Sequence, residues 1–218
     1  MADVSLWSGV DVNVQSAITA ARDLVSISQA NPGLAVYDGV DGDPAEGNII
    51  LLEDIQGMTP VRDRVFEVDN LNISAESFEL RGEDTTLYNA FVSGTYKIAT
   101  LGISLGTITG ITGSGGEARQ IDITTIHDEL EQIALGAKSA ITYNLESIWD
   151  VSDPGLLALR AADLIKATRV MEFVFANGHR FLFNGQVSAS LIPTGTAQDK
   201  VITPVTLTIR GGGTAYTS

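Results

Sequence analysis

Short alternations of apolar and polar residues run through most of the chain. Val10, Val12 and Val14 alternate with polar neighbours, as do Phe66 and Val68, Ile73, Phe78 and Leu80, then Ile103, Leu105 and Thr107, and Ile121 with Ile123. A side-chain period of two puts such residues on one face, so each run predicts a half-buried strand bounded by Gly, Asn, Asp or Pro. Many short runs and 22 glycines favour a barrel or sandwich over layered α/β. The expectation is an all-β fold.

One segment departs from that period. Ser152-Asp153-Pro154-Gly155 leads into Leu156, Leu157, Leu159, Ala161, Leu164 and Ile165. Asp153 is suited to accept the free amide hydrogens of a first helical turn, and Pro154 at the first position loses no bond. Leu157, Ala161, Leu164 and Ile165 share one helical face, which predicts one amphipathic helix over about 154–166, packed on the sheet by that face. Residues 16–28 are ambiguous: the alanines suit helix, whereas Leu24-Val25-Ser26-Ile27 suits strand, the reading preferred here. Asn177-Gly178 between Val170 and Phe183 predicts a hairpin with a type I′ turn, on which Phe173 and Phe175 meet Phe181 and Phe183. Pro204, within 201–209, lacks a ladder donor and points to an edge or a bulge.

The chain of 218 residues is 44% hydrophobic and only 18% charged, so it has enough apolar surface to offset the entropy of ordering. It carries no cysteine, which removes disulfides, thiolate metal sites and cysteine nucleophiles. Met1-Ala2-Asp3-Val4 has no basic start and no long apolar run follows, so neither a secretory signal nor a membrane span is expected, and the chain reads as soluble and made in a cytoplasm. A net charge of −14 opposes a surface that grips phosphates. Residues 1–99 hold 16 acids and 5 bases, residues 100–218 hold 11 and 8, so the balance shifts from −11 to −3 near residue 99. A boundary is expected there.

Motifs for chemistry are sparse. His127-Asp-Glu-Leu-Glu131 resembles a zinc-protease box whose second histidine is replaced by Glu131, and reads as a solvated acidic loop. Asp38, Asp41, Asp43 and Glu46 could crowd oxygens around calcium, yet the twelfth position counted from Asp38 is Ile49, where an EF-hand needs a bidentate Glu; a polar surface turn is the plainer reading. Gly110-Ile-Thr-Gly-Ser-Gly-Gly116 has no following Lys or helix to hold a phosphate, and reads as a flexible connection between strands. Glu129 and Glu131 do not define the separation that glycoside hydrolysis requires. No catalytic residue, cofactor or metal site is assigned.

Two sets of features, in their order along the chain, carry a resemblance. The first is Ile121-Asp-Ile-Thr-Thr125, the acidic loop, Gly136-Ala-Lys-Ser139, a strand at 141–148, Trp149-Asp150 and the Asp153-Pro-Gly helix. It continues with the Phe173-x-Phe-Ala-Asn-Gly178 hairpin, Phe183-x-Gly185-x-Val187 and Asp199-Lys-Val-Ile-Thr-Pro-Val-Thr-Leu207. Over roughly 100–212 this resembles the major tail tube protein of long, non-contractile phage tails. The second set is Ile27-Ser-x-Ala30-Asn-Pro32, Ile55-Gln-Gly57-Met58, Arg64-Val-Phe-x-Val68, Ser77-Phe-Glu-Leu80 and Asp84-Thr-Thr-Leu-Tyr88, running to Ser93-Gly94. It resembles a small β-barrel module inserted in phage tail proteins, with the module's usual His-Gly turn replaced by the acidic loop 38–47.

The resemblance implies a tube domain, a β-sandwich or barrel with one helix, made of 1–24 and 99–218, with a second small barrel at 25–98. It implies a structural virion protein, assembled in the bacterial cytoplasm into hexameric rings that stack as a hollow tube. Phage DNA would pass through without specific binding. The partners implied are copies of the chain itself, a tape measure protein, and tail terminator and tip proteins. The family's stacking loop corresponds to 125–138, so Thr125, His127, Asp128, Glu129, Leu130, Glu131, Ile133 and Lys138 are expected at the inter-ring contact. Two other classes stand beside this one. A tail-tip carbohydrate- or receptor-binding β-sandwich would need an exposed aromatic platform, whereas aromatics total 6% and Trp7 and Trp149 sit in contexts that suit a core. A polysaccharide-cleaving enzyme would rest on scattered acids alone.

Overall fold

The computed structural model describes residues 7–217 and is almost entirely β. Strands β1 (Asp11–Ile18), β2 (Arg22–Ile27), β3 (Leu34–Tyr37), β4 (Ile49–Gln56), β5 (Val65–Asn72) and β6 (Ser77–Leu80) precede a long β7 (Ser93–Ser104). Then come β8 (Ile108–Ser114), β9 (Ala118–Asp122), β10 (Ile133–Lys138), β11 (Thr142–Ile148) and the helix α1 (Pro154–Leu164). β12 (Thr168–Val174), β13 (Arg180–Ser188) and β14 (Ile202–Tyr216) complete the chain. Residues 16–28 are thus strand, interrupted at 19–21.

β7 belongs to both halves of the molecule. Its first part pairs with β2 and β4, and because β2 and β4 are also joined through β3, β6 and β5, those six strands close into a barrel. Tyr37, Phe78 and Tyr96 pack against one another at its centre, with Ile50, Leu52 and Phe66 around them. The second part of β7 pairs with β1, and the sheet continues β1-β12-β13-β14-β11-β8 around a separate core of Val12, Val14, Leu145, Phe173, Phe183 and Leu207. A third cluster, including Leu51, Val65, Val170, Leu182 and Tyr216, fills the seam between the two. Residues 1–6 of the segment assigned to the tube domain lie outside the described residues.

Charge reinforces the seam. Glu67 on β5 accepts from Arg81 Nη1 at 2.8 Å and from Arg180 Nη1 at 2.5 Å, and Arg180 Nε donates to Glu172 Oε1 at 2.5 Å. Arg64 holds Glu83 with both terminal nitrogens, and the Tyr88 hydroxyl donates to the same carboxylate at 2.8 Å. Burial opposes the Arg180 charge, but the carboxylates of Glu172 and Glu67 outweigh it and raise its pKa. β14 must bulge to reach this seam. Phe183 pairs with Gly213 and Asn184 with Arg210, so Gly211 and Gly212 are extra on β14. Gly211 takes φ +71 with the Arg62 carbonyl where a Cβ would sit, and Gly213 lies under the Phe181 ring. Only glycine allows these approaches.

Tyr216, at the end of β14, is buried with its oxygen accepting from the Glu67 amide at 2.8 Å. Burial pushes its phenol up to about 12. Burial and then the hydrogen bond to Asp43 bring Tyr37 to about 12 as well. A phenol that ionises near 10 when unfolded and about 12 when folded contributes stability present below pH 10 and lost as pH rises towards 12. Melting temperature is therefore expected to fall across that interval, and the Tyr37→Phe, Tyr216→Phe double variant to show a flatter profile. Identical slopes for parent and variant would refute the assignment.

Several local expectations need correction. α1 forms where expected, with Asp153 Oδ1 accepting from the Leu156 amide at 2.8 Å, but it turns the other way. Gly155, Leu156, Leu159 and Ala162 are buried, while Leu157, Ala161, Leu164 and Ile165 face outward. Small residues decide this: Leu105 lies where a Cβ on Gly155 would be, so the Gly155 side comes closest to the sheet. The Asn177-Gly178 turn spans three residues, closed by Phe175 N–H to His179 O and Gly178 N–H to Phe175 O, both 2.8 Å, and only Gly178 of the pair takes positive φ (84°). Gly110–Gly116 is mostly strand β8 and not a connection. Trp7 is 52% and Trp149 38% exposed, so neither is a core residue; Trp7 covers Phe173 and Phe175, and Trp149 donates to the Leu191 carbonyl. Pro204 sits where β14 has β11 as a neighbour but has run past the end of β13, a local edge within a central strand.

Candidate assembly surfaces

β9 and β10 form a two-stranded ribbon separate from the main sheet, with residues 123–132 at its tip. The alternation at Ile121 and Ile123, read as half-buried, lies on this arm, and both are exposed because no second layer among the described residues covers the ribbon. Ile126 is 97% and Leu130 77% exposed; Ile133 and Leu135 are also open to solvent. Such large apolar groups left in water mark a surface meant to be covered.

The arm is ordered from within. Ile123 N–H donates to Gln132 O at 2.9 Å, and the Thr125 amide and hydroxyl donate to Asp128 Oδ2 at 2.8 and 2.9 Å. Those two hydrogen bonds hold the Asp128 carboxyl below the usual carboxylate range. The Thr124 hydroxyl and amide do the same for Asp122. The tip therefore presents fixed negative charge beside its apolar groups.

Thr125, His127, Asp128, Glu129, Leu130 and Glu131 are brought together on that tip, and all are exposed. Ile133 begins β10, opposite Asp122. Lys138 is apart from them, paired with Ala118 at the arm's root, about 17 Å along the strand. The four acids of 38–47 do not converge. Asp38 caps a short 3-10 turn at Val40 N, Asp43 accepts from Tyr37, and Glu46 accepts from the Asn70 and Leu71 amides. Among the described residues no group of three or more His, Asp or Glu could hold a metal ion.

A second surface is the outer edge of β8. It pairs with β11 on one side and ends the main sheet on the other. Its backbone groups along Ile108–Ser114 are a template for another strand. Tyr143, Phe173, Phe181 and Phe183 stack among themselves at centroid distances of 5.2–6.4 Å against the second core, and with Trp7, Phe175 and Tyr216 they line an open apolar pocket. The exposed helix stripe and the buried charges of the seam were not singled out as sites by sequence reasoning. Only the apolar count on α1, which exceeds what one face holds, signalled the former.

A curved β body with a bare sheet edge and an outstretched apolar arm defines a class of protein built to be covered by other chains. The chain belongs to the phage tail tube protein family, whose sequence model matches residues 56–218, from the last residue of β4 to the C-terminal residue. It is a structural component of a phage tail, and that family origin does not favour the carbohydrate-binding alternative. No curated protein matches the chain.

Proposed function

We propose that copies of this chain close into hexameric rings, that the rings stack into the hollow tail tube, and that phage DNA passes through the bore during ejection. The observation that carries this reading is the arm: a ribbon whose apolar residues stand exposed, with nothing among the described residues of the chain to bury against. Residues 125–138 act between rings, with Thr125, His127, Asp128, Glu129, Leu130, Glu131 and Ile133 as the contact and Lys138 at its base. The β8 edge supports lateral closure, because a ring that covers each edge leaves none free around its circumference and confines growth to the axis.

In this reading residues 1–24 and 99–218 are the tube domain and 25–98 an inserted barrel. Two separate cores support two units, with the barrel core taking in Leu24 of β2 at the edge of that boundary. The tape measure protein and the terminator and tip proteins are its further partners, and assembly takes place in the host cytoplasm. DNA carries one charge per about 1.7 Å, so a basic wall would hold it through counterion release, whereas a negative wall lets it slide. Tube-domain residues alone, at −3 for 100–218, line a net negative bore.

Negative-stain microscopy of concentrated, pure protein is expected to show rings or tubes. Monodisperse single particles under all conditions would overturn the reading, and a neutral or basic bore in the assembled tube would overturn its electrostatic part.

A further inference from the structure

We propose that the arm of one copy seats on the outer face of α1 in a second copy. This rests on the tube reading and names the two surfaces that meet. α1 carries two apolar stripes where one suffices to hold it on the sheet. Leu157, Ala161, Leu164 and Ile165 recur at i, i+4, i+7 and i+8, a continuous strip along a helix about 16 Å long. Leu164 is 73% and Ile165 70% exposed, an open display of aliphatic surface on a helix that is otherwise well packed.

The charges around the two surfaces decide what covers the strip. Arg160 stands three residues after Leu157 and four before Leu164, on the same face, and has no ion-pair partner among the described residues. Lys166 follows at the end of the strip, paired with Asp163 at 2.8 Å. The strip is thus apolar, with one cation unpaired among the described residues, Arg160, on its face and a Lys166–Asp163 pair at its end. The arm tip, 123–132, has the opposite character: Ile123, Ile126 and Leu130 beside Asp128, Glu129 and Glu131, with no Lys or Arg. On a chain with 27 acids against 13 bases, an acidic tip is repelled by most of the surface of another copy. The α1 strip offers it apolar contact and favourable charge together. In a stacked tube the tip of each copy seats on the strip of the next and is not returned within a pair, so the contact is head-to-tail and repeats from copy to copy.

The chain has no cysteine, so pairs can be introduced without interference. Leu130→Cys is combined in turn with Leu157→Cys, Leu164→Cys and Ile165→Cys, with Val40→Cys as a control at an exposed site on the far barrel. After mild oxidation, assembled material with at least one helix pair is expected to run as a ladder of covalent multimers on a non-reducing gel. The Val40 control should stay monomeric. Tubes that form without a ladder from any helix pair would overturn the arm–helix contact and leave the tube reading standing. Absence of both tubes and ladder would overturn both, and a disulfide within single chains would overturn the contact. As a second measure, Leu164→Asp is expected to keep the parent's melting temperature and lose assembly; tubes at parental yield would refute the proposal.

Discussion

Replacing residues 123–132 with Asn-Gly is expected to leave a folded chain that no longer forms tubes. The excision is conservative for the monomer. Asp122 and Ile133 are directly paired across β9 and β10, so a two-residue turn can join them without changing the register. The residues removed are exposed and contribute nothing to either core, and changes at such sites usually fall within about 0.5 kcal/mol of the parent. What disappears is the apolar and acidic surface of Ile126, Asp128, Glu129, Leu130 and Glu131. Sedimentation and microscopy should show a change from tubes to small particles, with melting temperature altered by no more than about 2 °C. If the shortened protein assembles as the parent does, the arm is not the stacking element.

Arg180→Met is expected to act in the opposite way, on stability before assembly. Arg180 bridges Glu67 of the barrel and Glu172 of the second sheet, and both carboxylates are nearly buried. Without the guanidinium, Glu67 keeps Arg81, while Glu172 keeps only the Asn13 amide at 3.2 Å. Removing one partner of a buried pair leaves an uncompensated charge and costs about 3–5 kcal/mol. For a chain of this length that corresponds to roughly 10 °C in melting temperature. The loss should shrink when Glu172→Gln is added, since the stranded charge is then gone. A single variant that melts with the parent would show that the seam does not depend on this bridge.

The arm could be placed from sequence because its residues sit between two strand patterns and mix acids with aliphatics, but its character could not. Ile121 and Ile123 alternate like a buried strand, and periodicity cannot tell a strand covered by its own chain from one left for another. The same limit applied to α1. The pattern Leu157, Ala161, Leu164, Ile165 is a correct reading of one helical face, and Leu156, Leu159, Ala162 an equally apolar second one. Which of them is buried depended on the close approach of Gly155 to Leu105, a residue some fifty positions earlier. The Arg180 bridge gave no signal at all, because Glu67 and Arg180 meet only after the barrel and sheet have docked.

Local pattern alone settled the all-β class, the single helix with its Asp153 cap and the hairpin at Asn177-Gly178, since those follow from side-chain period and backbone preference over a few residues, whereas at 16–28 it left helix and strand open. Membership in the tail tube family was also legible there, as an order of features along the chain. Tertiary structure alone decided how β7 is shared between two cores, which face of α1 is spent on the fold, why Gly211–Gly213 continue a strand, and that the 118–138 segment stands away from the body. These outcomes depend on contacts between distant residues, where packing and paired charge select among arrangements that the local pattern leaves equal.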